Sequence, residues 1–205
     1  MFKNLLKKII PKEIRSKLRI QQRALKWYLN GKKTLPPGSI KRRMIKKIAK
    51  KNGINIFVET GTAGGATVEY VSKLFDKIIS IEVYEPLARA AQKKFARFDH
   101  IKIMYGDSGD VLPDILEGIK EPVLFWLDGH YSGEGTGKGV SETPITKELV
   151  AIFHHPIKNH IILIDDSRCF DGTNDYPKIE ELKDFIKQEN PNFNIEIKND
   201  IIIIK

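Results

Sequence analysis

Two adjacent carboxylates end a short apolar run in the second half of the chain. Residues 161–164 are Ile-Ile-Leu-Ile, and Asp165 and Asp166 follow them directly. A buried carboxylate without a partner costs free energy, so acids at the end of a core strand indicate that something compensates them. A cation or a hydroxyl-rich ligand would supply that compensation.

Four further apolar runs also end in, or next to, an acid. The acids are Glu59, Glu82, Asp107 and Asp128. The runs that precede them span residues 54–60, 77–83, 101–107 and 122–128. If these runs are parallel strands, their carboxyl ends meet at one edge of a sheet, where ligands of such sheets bind. We therefore expect one acidic rim that binds a ligand.

A glycine turn separates the first strand from the helix that follows it. The segment "FVETGTAGGA" covers residues 57–66, and glycines at such a turn let a ligand approach the backbone and the helix N-terminus. Glu82 lies 21 residues after Gly61 and is placed to accept hydrogen bonds from ribose hydroxyls. Asp107, 25 residues further on, is placed to meet an adenine amino group.

The elements that must position these residues alternate along the chain. Helical patterns lie between the strands and after 161–166, and a hairpin is predicted over 193–205, with Asn199 and Asp200 at its turn. This order predicts an α/β fold with a doubly wound, mostly parallel seven-stranded sheet and a C-terminal antiparallel hairpin. Residues 12–29 and a basic stretch from Ser39, its candidate cap, to Gly53 predict two further helices.

The glycine turn, the two acids and the terminal hairpin together resemble the class I S-adenosylmethionine-dependent methyltransferases, which have a Rossmann-like sheet. A nicotinamide enzyme would more often show the full G-x-G-x-x-G and lack the hairpin. The finer resemblance is to the macrocin O-methyltransferase group and to relatives found among bacterial surface-glycan genes. The segments that carry it are "FVETGTAGGA", "GDSGDVLPDIL", "LFWLDGHY" and "ILIDD".

This resemblance implies a cofactor site and a metal site. The residues expected to hold S-adenosylmethionine are Glu59, Thr60, Gly61, Thr62, Gly64, Glu82, Asp107, Ser108 and Asp128. Asp128, Asp165 and Asp166 match the positions that hold a divalent metal in that group. Three carboxylates without a nearby cysteine also suit Mg²⁺ or Mn²⁺ on chemical grounds. The alternative is that Asp128 serves the cofactor alone and one of the paired acids caps the next loop.

Two candidate bases follow the fourth strand. The resemblance gives Asp128 the role of general base, and His130 is a rival because its ordinary pKa suits proton transfer. Residues 132–144 are rich in glycine and predict either a lid over the substrate or a plain flexible loop. This stretch is longer than its equivalent in the macrocin group, and "HHPIKNH" replaces the glycines that usually precede the fifth strand there. Because of both differences, the resemblance does not identify the substrate of this chain. We expect His154, His155 and His160 at the surface or at a helix end, and Cys169 to be a plain small side chain.

The composition of the chain predicts its cellular compartment and its division into two parts. The chain has 205 residues and one cysteine, which excludes an internal disulfide framework and fits a reducing cytoplasm. No apolar run is long enough to span a bilayer, and no secretory signal is visible. Residues 1–53 carry a net charge of +17, whereas residues 54–205 carry −8. We therefore expect a basic helical extension and linker over 1–38 and a catalytic domain over 39–205, which is acidic from residue 54 onward.

The sequence of the basic extension is compatible with several functions. Residues 1–10 and 12–29 have the pattern of amphipathic helices, which favours either an anionic membrane surface on the inner face or packing on the domain itself or on a second subunit in a homodimer. Nucleic acid is less expected, because the domain is acidic. The sequence thus predicts an O-methyltransferase acting on a sugar, glycan precursor or related small molecule. The alternatives are an RNA or DNA methyltransferase and a non-catalytic membrane-associated module.

Overall fold

The computed structural model describes residues 11–129 and 143–205, where the strands form a seven-stranded sheet in the order β3-β2-β1-β4-β5-β7-β6. The strands are β1 Ile56–Thr60, β2 Lys77–Glu82, β3 Ile101–Tyr105, β4 Val123–Leu127, β5 Ile161–Asp165, β6 Ile195–Lys198 and β7 Ile201–Ile204. The described helices are α1 Lys12–Leu29, α2 Gly38–Asn52, α3 Ala66–Val71, α4 Glu85–Phe95, α5 Ser108–Glu117, α6 Ile145–His154 and α7 Ile179–Glu189.

The central strands pair in parallel, and the last two are antiparallel. β1 lies between β2 and β4, and β4 pairs with β5, all in parallel register. Every residue of β1, β4 and β5 is buried, because both faces of the sheet are covered. The predicted doubly wound, mostly parallel sheet is therefore confirmed.

The terminal hairpin is also confirmed. β6 and β7 pair in antiparallel register, and β7 pairs with β5. Asn199 and Asp200 both have positive φ angles, 52° and 61°, as a two-residue hairpin turn of type I′ requires. This turn places Asp200 beside the end of β5, because Ser167 donates a backbone hydrogen bond of 3.1 Å to the Asp200 carbonyl oxygen.

Helix α2 packs beneath the sheet with its apolar face inward. Ile45 and Ala49 are buried against side chains of β1 and β5, among them Phe57 and Leu163. The helix ends at Gly53, whose left-handed backbone (φ 62°) confirms the predicted stop. The prediction that Ser39 caps the helix is wrong. The helix already begins at Gly38, so Ser39 lies inside the first turn, and its hydroxyl is buried without a hydrogen-bond partner among the described residues.

Helix α1 contacts the rest of the protein through one face. Ala24 and Trp27 are buried against Ile40 of α2, and Trp27 Nε1 donates a hydrogen bond of 2.7 Å to the Thr34 carbonyl oxygen. No helix within residues 11–129 and 143–205 is long and apolar enough to cross a membrane. The predicted helix over residues 1–10 lies outside the described residues.

The histidines before β5 match the prediction in part. His154 is exposed at the end of α6, and His155 is the C-cap of that helix, so both lie at a helix end as expected. His155 and His160 are nevertheless buried, and His160 lies directly before β5 rather than at a helix end. Val123 N donates to His160 Nδ1 (3.0 Å), so the hydrogen of His160 is on Nε2, which lies 2.8 Å from His155 Nδ1. His155 Nε2 then donates to the Leu116 carbonyl oxygen (3.0 Å). The surface alternative is therefore wrong for His155 and His160, because their ring nitrogens are hydrogen-bonded inside the core.

Candidate active site

The turn after β1 approaches the end of β4 so closely that it needs glycine. Gly61 has φ 83°, and a Cβ at this position would clash with the Asp128 carbonyl oxygen. Gly61 N donates 2.9 Å to the Ile81 carbonyl oxygen, which fixes the turn over β2. Gly65 then begins α3 in the left-handed conformation, while Gly64 has open space around it. The turn is therefore shaped by close backbone contacts and leaves its outer side accessible.

Glu82 lies at the tip of β2 and holds this turn in place. Its Oε2 accepts a hydrogen bond from Ala63 N (2.8 Å), and its Oε1 accepts one from Tyr84 N (2.9 Å). The side chain is buried, and a carboxylate has about four lone-pair sites, so two remain for ligand hydroxyls. The structure therefore gives Glu82 a structural role in holding the turn, and the ribose contact stays a prediction.

Glu59 is buried one residue before the end of β1. Ser80 Oγ donates to Glu59 Oε2 (2.8 Å) and accepts from Thr62 Oγ1 (2.6 Å). Burial raises the pKa of Glu59 to about 8. Burial therefore favours the protonated form of Glu59, and the side chain links the glycine turn to β2 through hydroxyl groups.

Asp107 and Ser108 follow β3 at the same edge. Asp107 is the N-cap of α5, because its Oδ1 accepts a hydrogen bond of 2.9 Å from Gly109 N. Ser108 Oγ donates 2.5 Å to Glu148 Oε1 of α6. Burial raises the pKa of Glu148 to about 7.

The sequence reasoning missed Glu148. Glu148 shares the buried face of α6 with Ile145, Leu149 and Ile152, and an acid within such a stripe was the available signal. Together with Asp128, Asp165 and Tyr176 it lines a small cavity at the end of β4 and β5. Asp128 is held there by its backbone N–H, which faces the carbonyl (3.1 Å) and hydroxyl (3.2 Å) oxygens of Thr60.

Lys41, from the first turn of α2, lies against the paired acids. Its Nζ donates to Asp165 Oδ1 and, over 2.7 Å, to Asp166 Oδ1, and it lies 3.6 Å from Asp200 Oδ2. Arg168 Nη1 donates to Asp166 Oδ1 (2.6 Å) and to Asp200 Oδ2. We call these five residues the lysine cluster: Lys41, Asp165, Asp166, Arg168 and Asp200. The sequence reasoning did not single out Lys41, Arg168 or Asp200 for this site.

Charge states in the lysine cluster follow from these contacts. Burial and the nearby Asp128 raise the pKa of Asp165 to about 7, against the opposing effect of Lys41. Burial alone would raise the pKa of Asp166, but hydrogen bonds from Arg168 and Lys41 lower it to about 2. Although burial lowers the pKa of Lys41, the two aspartates raise it above its ordinary value. Lys41 therefore carries its positive charge at neutral pH.

The paired acids do not fit the predicted divalent metal in this arrangement. One oxygen of each carboxylate, Asp165 Oδ1 and Asp166 Oδ1, already accepts a hydrogen bond from the ammonium of Lys41. Among residues 11–129 and 143–205, no group of three side chains is arranged to hold a metal ion. The paired acids thus have protein cations as partners.

Three further sequence predictions concern His130, the glycine-rich stretch and Cys169. His130 and most of the glycine-rich stretch 132–144 lie outside the described residues. Cys169 is half-buried in the short turn after β5, and burial raises the pKa of its thiol, which agrees with a plain side chain.

Solved structures of other proteins share the fold over most of their length. The O-methyltransferase TomG from Streptomyces achromogenes, in complex with S-adenosylmethionine, has 12% identity and a TM-score of 0.59, over 90% of this chain and 87% of its own. An O-methyltransferase from Bacillus cereus, in complex with S-adenosylhomocysteine, has 15% identity and a TM-score of 0.57, over 96% of this chain and 91% of its own.

A third similar structure covers almost the whole of both chains. A methyltransferase from Podospora anserina, bound to S-adenosylhomocysteine, has 15% identity and a TM-score of 0.57, over 96% of this chain and 97% of its own. No protein-family model and no curated protein matches the sequence. At these identities the similarity defines the fold, which is that of the class I S-adenosylmethionine-dependent methyltransferases.

Proposed function

We propose that this chain is an S-adenosylmethionine-dependent O-methyltransferase that acts on a hydroxyl group of a small molecule. The observation that carries the proposal is the glycine turn at Gly61, which packs against the Asp128 backbone and is hydrogen-bonded to Glu82 at the carboxyl ends of β1 and β2. This is the edge at which doubly wound sheets bind nucleotide ligands. The similar structures named above were solved with this cofactor or its demethylated product.

The rim residues would bind the cofactor in separate ways. Glu82 would accept hydrogen bonds from the ribose hydroxyls with its two remaining lone-pair sites. Asp107 and Ser108, at the start of α5, lie where the adenine would reach the end of β3. The backbone of the glycine turn would approach the rest of the nucleoside closely, because it has few side chains to exclude it.

Methyl transfer needs an oxygen nucleophile in line with the sulfonium methyl group. The acceptor hydroxyl forms a bond to the methyl carbon, the carbon–sulfur bond breaks, and the hydroxyl proton must leave. Asp128 is our candidate for the group that takes this proton, because it lines the small cavity at the ends of β4 and β5 and Thr60 fixes its backbone. The protein otherwise contributes mainly by positioning the two reactants.

The acceptor that we propose is a sugar, a glycan precursor or a similar polyhydroxylated compound. The acids of the rim support this choice, because carboxyl groups form hydrogen bonds with hydroxyl groups. The divalent metal predicted from the sequence enters no step of this mechanism, because the paired acids have Lys41 as their partner.

The first test is cofactor binding. We expect calorimetry to show that S-adenosylhomocysteine binds to the protein. Gly61→Ala should weaken this binding at least ~100-fold, because the new Cβ would clash with the Asp128 carbonyl oxygen and displace the turn. Gly118→Ala is the matched control, because this glycine has negative φ and only one distant neighbour for a Cβ. Absence of binding by the unaltered protein would contradict the proposed function. Methyl transfer to a panel of sugars, followed by mass spectrometry, would then test the acceptor class.

A further inference from the structure

We propose that the ammonium group of Lys41 is the resident cation of this rim and takes the place that a divalent metal was predicted to fill. The inference deepens the proposed function and rests on it, since it concerns how that reaction proceeds. Its consequence is that methyl transfer by this chain needs no divalent metal. Lys41 acts here as a positioning residue, because its contacts are to acids of the rim.

The first support is the geometry of the ammonium. Lys41 is 9% exposed, and its Nζ contacts one oxygen of Asp165 and, at 2.7 Å, one oxygen of Asp166. Asp200 contributes a third carboxylate at 3.6 Å. A lysine ammonium has three hydrogens to donate, and three carboxylates surround this one. The group is therefore enclosed like a bound cation.

The second support is the way in which the helix delivers the lysine. Ile40, the residue before Lys41, is buried against Trp27 and Ala24 of α1. Ile45, one turn later, is fully buried in the core beneath β1. Because both flanking positions are fixed, the lysine is held over the end of β5 by the packing of α2.

The third support is charge balance. The lysine cluster contains three carboxylates and two cations, because Arg168 contacts both Asp166 and Asp200. A divalent ion placed at the paired acids would need the same carboxylates and would lie next to a buried ammonium. Repulsion between those like charges is strong where water is excluded. The lysine and the metal are therefore mutually exclusive partners of Asp165 and Asp166.

The decisive experiment uses Mn²⁺ as the probe, with the full chain and excess S-adenosylhomocysteine. We expect electron paramagnetic resonance to show no tightly bound Mn²⁺ in the unaltered protein, and its melting temperature to be insensitive to millimolar Mn²⁺. Tight stoichiometric Mn²⁺ binding that Asp165→Asn abolishes would overturn the proposal, whatever any lysine variant does.

A substitution of the lysine supplies the converse test. Lys41→Met keeps most of the aliphatic stem but removes the charge, which leaves the acids in excess. We expect this variant to gain Mn²⁺ binding at least ~10-fold over the unaltered protein and to recover melting temperature when Mn²⁺ is added. Lys47→Met, at an exposed position on the same helix, is the control and should show neither effect. A folded Lys41→Met variant without any gain in Mn²⁺ binding would overturn the proposal.

The same samples distinguish a failure of the Lys41 proposal from a failure of the proposed methyltransferase function. S-adenosylhomocysteine binding is measured independently of Mn²⁺, so its absence would contradict the methyltransferase alone. Where methyl transfer is observed, we expect it to persist in excess EDTA. Loss of activity in EDTA that added Mg²⁺ restores would overturn the metal independence and leave the methyltransferase standing.

Discussion

Acids buried at this rim differ in charge because their partners differ. Glu59 and Glu148 accept hydrogen bonds from serine hydroxyls, and burial raises their pKa values to about 8 and about 7. Asp166 accepts from two cations, which lower its pKa to about 2 despite burial. The rim is thus less negative at neutral pH than its count of carboxyl groups implies, which is how so many acids lie close together.

The proposed proton transfer is testable at one residue. Asp128→Asn keeps the shape of the side chain but removes its basicity, so we expect kcat to fall at least ~100-fold. The Kd for S-adenosylhomocysteine should change much less, because the backbone contacts of residue 128 to Thr60 remain. Steady-state kinetics and calorimetry measure the two quantities.

The matched control for this variant is Asp110→Asn, an exposed acid on α5 that pairs with Lys147. It should leave kcat unchanged. His130→Asn, made alongside, decides between the two candidate bases from the sequence. If His130→Asn abolished turnover while Asp128→Asn retained it, the role assigned to Asp128 would be wrong.

Local sequence predicted the rim acids but not their partners. Glu59, Glu82, Asp107, Asp128, Asp165 and Asp166 were expected at strand ends because the strand–turn–helix pattern is local. Lys41 lies 124 residues before Asp165, and nothing in the spacing of either residue indicates that they meet. Glu148 was missed for a related reason, since its contact to Ser108 joins two helices.

At the scale of elements, the predicted strands match the structure closely, and the errors lie at ends and in buried polar groups. Each strand was predicted within about two residues, because apolar runs flanked by turn residues are clear signals. The cap at Ser39 was wrong because Pro37 and Gly38 begin the helix earlier. The histidine pair was missed because its hydrogen bonds join elements that are distant in sequence. His160 accepts from Val123 of β4, and His155 donates to Leu116 near the end of α5.

The histidine pair predicts an acid-sensitive junction of β4, β5, α5 and α6. Burial lowers the pKa of His160 to about 4, helped by His155 and Lys158, and the ordinary value is 6.5. The unfolded chain therefore binds a proton between pH 6.5 and 4 that the folded chain does not. The free energy of unfolding should fall as the pH falls through this window, by about 3 kcal/mol from this group.

The measurement is urea unfolding across that pH window with His160→Asn. The asparagine Oδ1 can still accept from Val123 N, but the side chain does not titrate, so the variant should lose less stability on acidification. His154→Asn, at an exposed position next to the pair, is the control and should behave like the unaltered protein. Parallel pH profiles for His160→Asn and the unaltered protein would show that the pair does not control this dependence.

At the scale of the whole molecule, charge and exposed apolar surface meet in α1. Ile14, Leu18, Leu25 and Leu29 are 42–77% exposed. At 100° per residue they lie within about 60° of one another around the helix. Trp27, which packs on α2, points to another side. This helix therefore contacts its own domain and also presents an open apolar stripe beside basic residues, as interfacial helices do.

We expect this stripe to bind anionic membranes. The double variant Leu18→Ser, Leu25→Ser should reduce binding to vesicles rich in phosphatidylglycerol at least ~10-fold, because apolar area and charge both contribute to binding. Vesicle co-sedimentation measures this. Leu35→Ser, exposed in the linker after α1, is the control. Equal binding by both variants, or strongly salt-dependent binding to RNA instead, would contradict the membrane interpretation and revive the nucleic-acid alternative.

The contact between Lys41 and the paired acids also determines how the protein obtains the cation of its rim. A metal ion must be acquired from the cell and can be lost to scarcity, to competing ions or to a chelator. A lysine side chain is encoded, arrives with the polypeptide in a fixed ratio of one to one, and does not exchange. An enzyme whose rim carries its own cation in this way would keep working through metal starvation, and natural selection would act on that cation through a single codon.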